Sequence, residues 1–140
     1  MRTGILGGSF DPVHQQHQQL ALAALIECCL DEVWFVPVFQ AVHKKRVGML
    51  EYHHRRHLLQ TALKDSPRMR VCDVEMELGG PSYTFRTLEI LQERYPDRQF
   101  FLIIGGDSLV ELSTWKNVEQ LVKMTEFIVV ERPGCERRSP

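Results

Sequence analysis

The run Phe100-Phe101-Leu102-Ile103-Ile104 places bulky apolar residues in unbroken succession and is closed by Gly105-Gly106-Asp107. A strand half exposed to water alternates apolar with polar residues, so one that is apolar at every position has to be covered on both faces. That is the situation of a strand inside a parallel sheet packed between two helix layers. The rest of the chain fits the same plan. Gly4-Ile5-Leu6 reads as a short first strand entering a Gly-rich turn, Val33-Trp34-Phe35-Val36 as a second stopped by Pro37, Arg70 to Met76 as a third and Phe127 to Val130 as the last. Between them apolar residues recur at helical spacing. Leu22, Leu25, Ile26, Cys29 and Leu30 predict a helix from Val13 to Leu30, and Leu58, Leu59, Ala62 and Leu63 one that ends near Ser66-Pro67. Thr84, Leu88, Leu91 and Tyr95 predict a third, and Val118 to Lys123 a short fourth. The expected fold class is α/β: a doubly wound parallel sheet of about five strands with helices on both faces, in a single domain over residues 1–140.

Composition narrows the partners. With 140 residues, 44% hydrophobic and 25% charged, the chain can bury a core without staples. A formal net charge of −1 argues against a general nucleic-acid binder. No apolar stretch is long enough to span a bilayer, and Arg2 is not followed by a signal-peptide h-region, so the expectation is a cytoplasmic protein with no membrane partner. Cys28, Cys29, Cys72 and Cys135 show no C-x-x-C spacing and are expected to be reduced thiols.

Ligands of open parallel sheets bind beyond the carboxyl ends of the strands. The first such end is followed by Gly7-Gly8-Ser9-Phe10-Asp11-Pro12-Val13-His14-Gln15-Gln16-His17. Gly7 and Gly8 would let the backbone turn sharply and approach a phosphate, and Pro12 holds Asp11 extended. The helix that follows would point free N–H groups at the same place. His14 and His17, three apart, share one face of a first helical turn and could donate hydrogen bonds to phosphoryl oxygens. Phosphoryl and nucleotidyl transfer depend on such positioning and charge stabilisation. An isolated H-x-x-H is more often a pair of surface histidines, but the upstream Gly-Gly-Ser-Phe-Asp-Pro favours the functional reading. A zinc site would need a third ligand, and none stands at a familiar spacing.

This segment resembles the signature of the HxxH nucleotidylyltransferase superfamily, and the chain is similar to bacterial nicotinate-nucleotide adenylyltransferases through nearly its whole length. The resemblance implies a Rossmann-like domain that transfers an adenylyl group from ATP, accompanied by Mg2+, to nicotinate mononucleotide, giving deamido-NAD and pyrophosphate in NAD synthesis. It implies His14, His17 and Lys44 as catalytic residues, with Lys44 in His43-Lys44 suiting a phosphate. It implies Gly7, Gly8, Ser9 and Phe10 as substrate-binding residues. Ser82, Tyr83 and Thr84, at a helix start, correspond to the part that recognises the nicotinate carboxylate. Gly105, Asp107, Trp115 and Arg132 complete the set, Asp107 for ribose hydroxyls and Trp115 for ring stacking. Without the resemblance, Lys44 reads equally as a solvated loop residue, Ser82 as a plain N-cap and Trp115 as core packing. His53 and His57 at i, i+4, with His54, Arg55 and Arg56 beside them, read as a solvated helix face. No protein metal site is expected, and a homo-oligomer is compatible with the sequence.

Two features depart from the family. Gln16 stands where glycine usually precedes the second histidine, and the Ser/Thr-rich motif ending in Arg that follows in family members is not found before Pro140, so the domain is expected to be C-terminally shortened. These departures keep two alternatives open: a shortened, catalytically weak or inactive nucleotide-binding relative, and an adenylyltransferase for nicotinamide mononucleotide or phosphopantetheine.

Overall fold

The structure is a computed structural model and describes residues 1–8, 10, 15–37, 51–78, 84–105, 118–130 and 135–138. In chain order the elements are β1 (Arg2–Gly8), α1 (Gln15–Glu27), β2 (Glu32–Pro37), α2 (Tyr52–Leu63), β3 (Met69–Val71) and α3 (Val74–Leu78). They continue with α4 (Thr84–Arg94), β4 (Gln99–Gly105), α5 (Val118–Met124), β5 (Glu126–Val130) and β6 (Cys135–Arg138). The sheet has six strands in the order β3-β2-β1-β4-β5-β6. The first five are parallel to their neighbours, and β6 pairs antiparallel with β5 at the edge. Strand order reverses between β1 and β4, so the switch point where α/β sheets bind ligands lies at the carboxyl ends of these two strands.

The unbroken apolar run explains the two-layer core. Phe101 and Ile103 point to one face, where they pack with Leu6, Phe35, Ala21 and Leu25 of α1 and Leu59 of α2. Phe100, Leu102 and Ile104 point to the other, with Trp34, Val74 of α3, Leu88 and Leu91 of α4 and Leu121 of α5. Each large side chain fully buried in these layers contributes about 1.5–3 kcal/mol. Gly4 is where the first layer closes most tightly. A Cβ built there would lie 2.7 Å from both Ile103 Cδ1 and Leu30 Cδ1.

Four sequence expectations are corrected. The third strand stops at Val71, and Val74–Leu78 is helical. The strand was expected to run on to Met76, but Val74 and Leu78 are one helical turn apart, and Glu75 and Glu77 suit a helix start. The sheet gains β6, because Cys-Glu-Arg-Arg carries no alternating apolar signal yet suits a charged edge strand. The first helix ends at Glu27 rather than at Leu30, and Cys29 is left-handed, with φ 54°. Cys29 and Cys72 are free thiols, whereas Cys28 is disulfide-bonded, contrary to the expectation of four reduced cysteines; Cys28 is half-buried where its exposed neighbour Cys29 turns outward.

The amino-terminal edge of the sheet is held by arginines with protein partners. Arg2 donates to the carbonyls of Cys28 and Cys29 at the end of α1, and Arg68 to those of Leu30 and Asp31. Arg98 donates to Thr3 and Glu32 and lies 4.8 Å over the Trp34 ring. These cations neutralise helix and strand ends and account for themselves structurally. Among the described residues no helix is long and apolar enough to cross a membrane.

Candidate active site at the switch point

Gly7 and Gly8 are the last residues of β1, paired with Val36 and Pro37 of β2. Neither makes the sharp turn anticipated for it: both are extended, and the left-handed residue is Phe10, with φ 49°. The room beside them is informative. A Cβ at Gly7 would meet only the Val36 carbonyl oxygen, at 3.8 Å, an ordinary contact. Nothing in the described protein therefore requires glycine at this exposed strand end, and a missing side chain there leaves space for a ligand to reach the backbone.

Phe10, two residues past β1, is left-handed. It is 1% exposed, so its ring is part of the core. The ring lies 5.5 Å from that of Phe35 and 4.9 Å from the His17 imidazole, the latter edge-on at 76°. A phenylalanine in the left-handed region costs roughly 1–3 kcal/mol, and the buried contacts of the ring offset that cost. His17, the third residue of α1, is half-buried on this ring in the first turn, where backbone N–H groups have no partner inside the helix. Sequence, turn conformation and packing thus place one imidazole at the carboxyl end of β1.

Of the other anticipated residues, Gly105 ends β4, the strand beside β1, and Thr84 opens α4 half-buried. Ser9, His14, Lys44, Ser82, Tyr83, Asp107, Trp115 and Arg132 lie outside the described residues. His53, His54 and His57 stand exposed on α2. Among the described residues, no group of three or more His, Cys, Asp and Glu side chains gathers that could hold a metal ion.

One polar cluster escaped the sequence reading. Asp73, at the junction of β3 and α3, accepts hydrogen bonds from Tyr52 Oη at 2.6 Å and from Arg56 Nε at 2.7 and 2.9 Å to its two oxygens. Burial works to raise the Asp73 carboxyl, but the bonds from Arg56 and Tyr52 outweigh it and hold the group below its ordinary range. Burial and the neighbouring carboxylate push the Tyr52 hydroxyl well above its ordinary value. Tyr52 is buried, and its ring lies 5.5 Å from the guanidinium carbon of Arg55, itself buried. The one sequence signal was Tyr52 opening a helix otherwise polar in its first turns.

Glycine strand ends and a helical histidine at the switch point of a doubly wound sheet define a nucleotidyltransferase-type α/β domain, and a family model described as cytidylyltransferase-like matches residues 5–138. The nicotinate-nucleotide adenylyltransferase of Bacillus subtilis (strain 168) is 40% identical over 139 residues, 99% of this chain and 74% of that protein. A relative from Shouchella clausii (strain KSM-K16) is 41% identical over 138 residues, covering 99% of this chain and 72% of its own length. In fold, the chain is similar to the Plasmodium falciparum nicotinic acid mononucleotide adenylyltransferase solved with NaAD, with a TM-score of 0.79 at 24% identity over 91% of this chain and 63% of that one. The chain belongs to the cytidylyltransferase-like family and, within it, to the nicotinate-nucleotide adenylyltransferases.

Proposed function

We propose that this chain joins ATP and nicotinate mononucleotide into deamido-NAD and pyrophosphate, as a cytoplasmic enzyme of NAD synthesis. The observation that carries the reading is the imidazole of His17, fixed on the Phe10 ring beside a glycine strand end at the switch point. The 40% identity to the Bacillus subtilis enzyme over 99% of the chain supports the choice of reaction.

In this reaction a phosphate oxygen of nicotinate mononucleotide attacks the α-phosphorus of ATP. One P–O bond forms, the bond to the β-phosphate breaks, and pyrophosphate leaves with the electron pair. Negative charge builds on the transferred phosphoryl group and on the leaving group. His17, together with His14, donates hydrogen bonds to that charge, and Lys44 neutralises it. Gly7 and Gly8 admit the phosphates to the strand end, and Phe10 contributes from the core. Ser9, between Gly8 and Phe10 in sequence, is assigned to substrate binding with them. Ser82, Tyr83 and Thr84 present hydroxyl and N–H donors to the nicotinate carboxylate, and Gly105, Asp107, Trp115 and Arg132 complete the nucleotide pocket. Mg2+ enters with the ATP phosphates, as suits an ion that keeps its waters and binds through substrate oxygens. Among the described residues no group of three or more His, Cys, Asp and Glu side chains would hold it without the substrate.

His17→Ala tests the assignment. Pyrophosphate release should fall by about 100-fold to 1,000-fold, the cost of one transition-state donor. Melting temperature should drop only by the few degrees that a lost aromatic edge contact of about 0.5–1.5 kcal/mol implies. Turnover equal to the unaltered protein refutes the role of His17. Release with phosphopantetheine or nicotinamide mononucleotide, but not with nicotinate mononucleotide, refutes the acceptor.

A further inference from the structure

α2 carries His53, His54 and His57 in its first two turns, and all three are exposed. The helix runs unbroken from Tyr52 to Leu63, so His53 and His57, four residues apart, stand one above the other on one side of it. On sequence alone such a pair is indistinguishable from a solvated helix face, and the folded surroundings are what set it apart. Arg56, the cation between the two in sequence, is committed elsewhere: its Nε donates to both Asp73 oxygens and its Nη1 to Gln60 Oε1. Arg55 is 2% exposed and so does not share the face. His53 rests edge-on to the Tyr52 ring, with centroids 5.8 Å apart, and interacts electrostatically with the Asp73 carboxylate. The face therefore offers two exposed imidazoles with a carboxylate nearby, and the adjacent guanidiniums are either neutralised or buried.

We propose that His53 and His57 form a two-histidine site for a divalent transition-metal ion of the nickel, copper and zinc class. Side chains at i and i+4 have Cβ atoms about 5–6 Å apart, a span from which two ring nitrogens converge on one ion. The same spacing serves helices that ligate zinc through two histidines. Imidazole nitrogen suits Ni2+, Cu2+ and Zn2+, whereas Mg2+ and Ca2+ prefer oxygen ligands. Among the described residues no group of three His, Cys, Asp and Glu side chains gathers, so water fills the remaining positions and the site is an open surface chelate. His54 lies three residues from His57 and belongs to a different row of the helix. An ion that bridges one turn binds the folded helix and not the unfolded chain, so it stabilises α2 by mass action.

The test titrates NiCl2 into the full chain by calorimetry, with MgCl2 as the control, and records melting temperatures with and without nickel. Nickel is the probe because the exposed Cys29 is a free thiol, which Cu2+ would oxidise. The unaltered protein should bind Ni2+ and not Mg2+. His53→Gln and His57→Gln should each weaken that nickel site about 100-fold, because a second ligand on the same helix acts at high effective concentration. His54→Gln should leave it unchanged. All three positions are exposed, so without metal the variants should melt within about 2–3 °C of the unaltered protein. NiCl2 should raise the melting temperature of the unaltered protein and of His54→Gln, and leave those of His53→Gln and His57→Gln where they were. A nickel isotherm that either His53→Gln or His57→Gln leaves unchanged overturns the pair, as does loss of the site in His54→Gln. Failure of the unaltered protein to bind nickel, or equal binding of Mg2+, overturns the proposal outright.

Discussion

Two substitutions at Phe10 separate the burial of its ring from the conformation of its backbone. Removing the ring in Phe10→Ala opens a cavity between Phe35, His17 and Gly8, whose Cβ position lies 3.6 Å from the ring. For a side chain 1% exposed, that truncation should cost about 3–5 kcal/mol. Phe10→Gly loses the same ring. In an ordinary site glycine would be a further 0.5–1 kcal/mol or so worse than alanine, because its unfolded chain is freer. At φ 49° the order should reverse. Glycine escapes a left-handed penalty of roughly 1–2 kcal/mol that alanine still bears, so Phe10→Gly should be about 0.5–1 kcal/mol more stable than Phe10→Ala. Urea unfolding of the two variants under identical conditions measures the difference directly, and the thermal midpoints should differ by about 2–5 °C in the same sense. A glycine variant less stable than the alanine variant refutes the left-handed turn, and an alanine variant within about 1 kcal/mol of the unaltered protein refutes the buried ring.

Two glycines of β1 should respond in opposite ways. Gly4→Ala drives a methyl group into Leu30 and Ile103 and should destabilise by about 1–3 kcal/mol in urea unfolding, whereas Gly7→Ala should stay within about 0.5 kcal/mol yet lower pyrophosphate release. A Gly7→Ala protein with full turnover would contradict the open approach at that strand end. The Asp73 carboxyl is depressed in the folded state, so its contribution to stability is complete above the ordinary carboxylate range, near pH 4, and is lost as pH falls through the folded value. The stability gap between the unaltered protein and Asp73→Asn should therefore narrow steadily from about pH 5 downward, and a gap that widens in acid would contradict the direction of the shift.

The layers were legible because burial imposes a period. Phe100 to Ile104 announced a strand covered on both sides, and its alternate residues do divide between the two helix layers. Leu25, Leu59 and Leu88 were legible for the same reason, each on the buried stripe of a helix, whereas Leu22, Ile26, Leu58 and Tyr95, assigned to the same stripes, are exposed. Signals failed where periods coincide or are absent. Val74 to Met76, too few residues to separate a strand from the start of a helix, were read as the end of the third strand. The four residues of β6 owe their place to pairing with β5, not to any pattern of their own. In the candidate site, spacing and upstream glycines singled out His17, which the structure places on α1 beside Phe10, while Phe10 was named through the family resemblance. Only the folded contacts reveal that its ring belongs to the core. Asp73 was missed because neither Tyr52 nor Arg56 is near it in sequence, and such a cluster has no signature along the chain.

Phe10 also explains why the turn after β1 is not simply built from glycine. Gly7 and Gly8 immediately precede it, so the chain already uses residues without side chains where the strand ends. A third glycine at position 10 would relieve the left-handed strain at no steric cost. It would also remove the ring that lies edge-on to His17 and packs on Phe35, and with it the rigid surface that orients the imidazole. Stability of the backbone and placement of the histidine therefore pull in opposite directions at this residue. The fold accepts roughly 1–3 kcal/mol of local strain where the Phe10 ring packs edge-on to the His17 imidazole. On that argument Phe10→Gly, though the more stable of the two truncated proteins, should release pyrophosphate no faster than Phe10→Ala. Recovery of turnover in the glycine variant would show that His17 is oriented by something other than this ring.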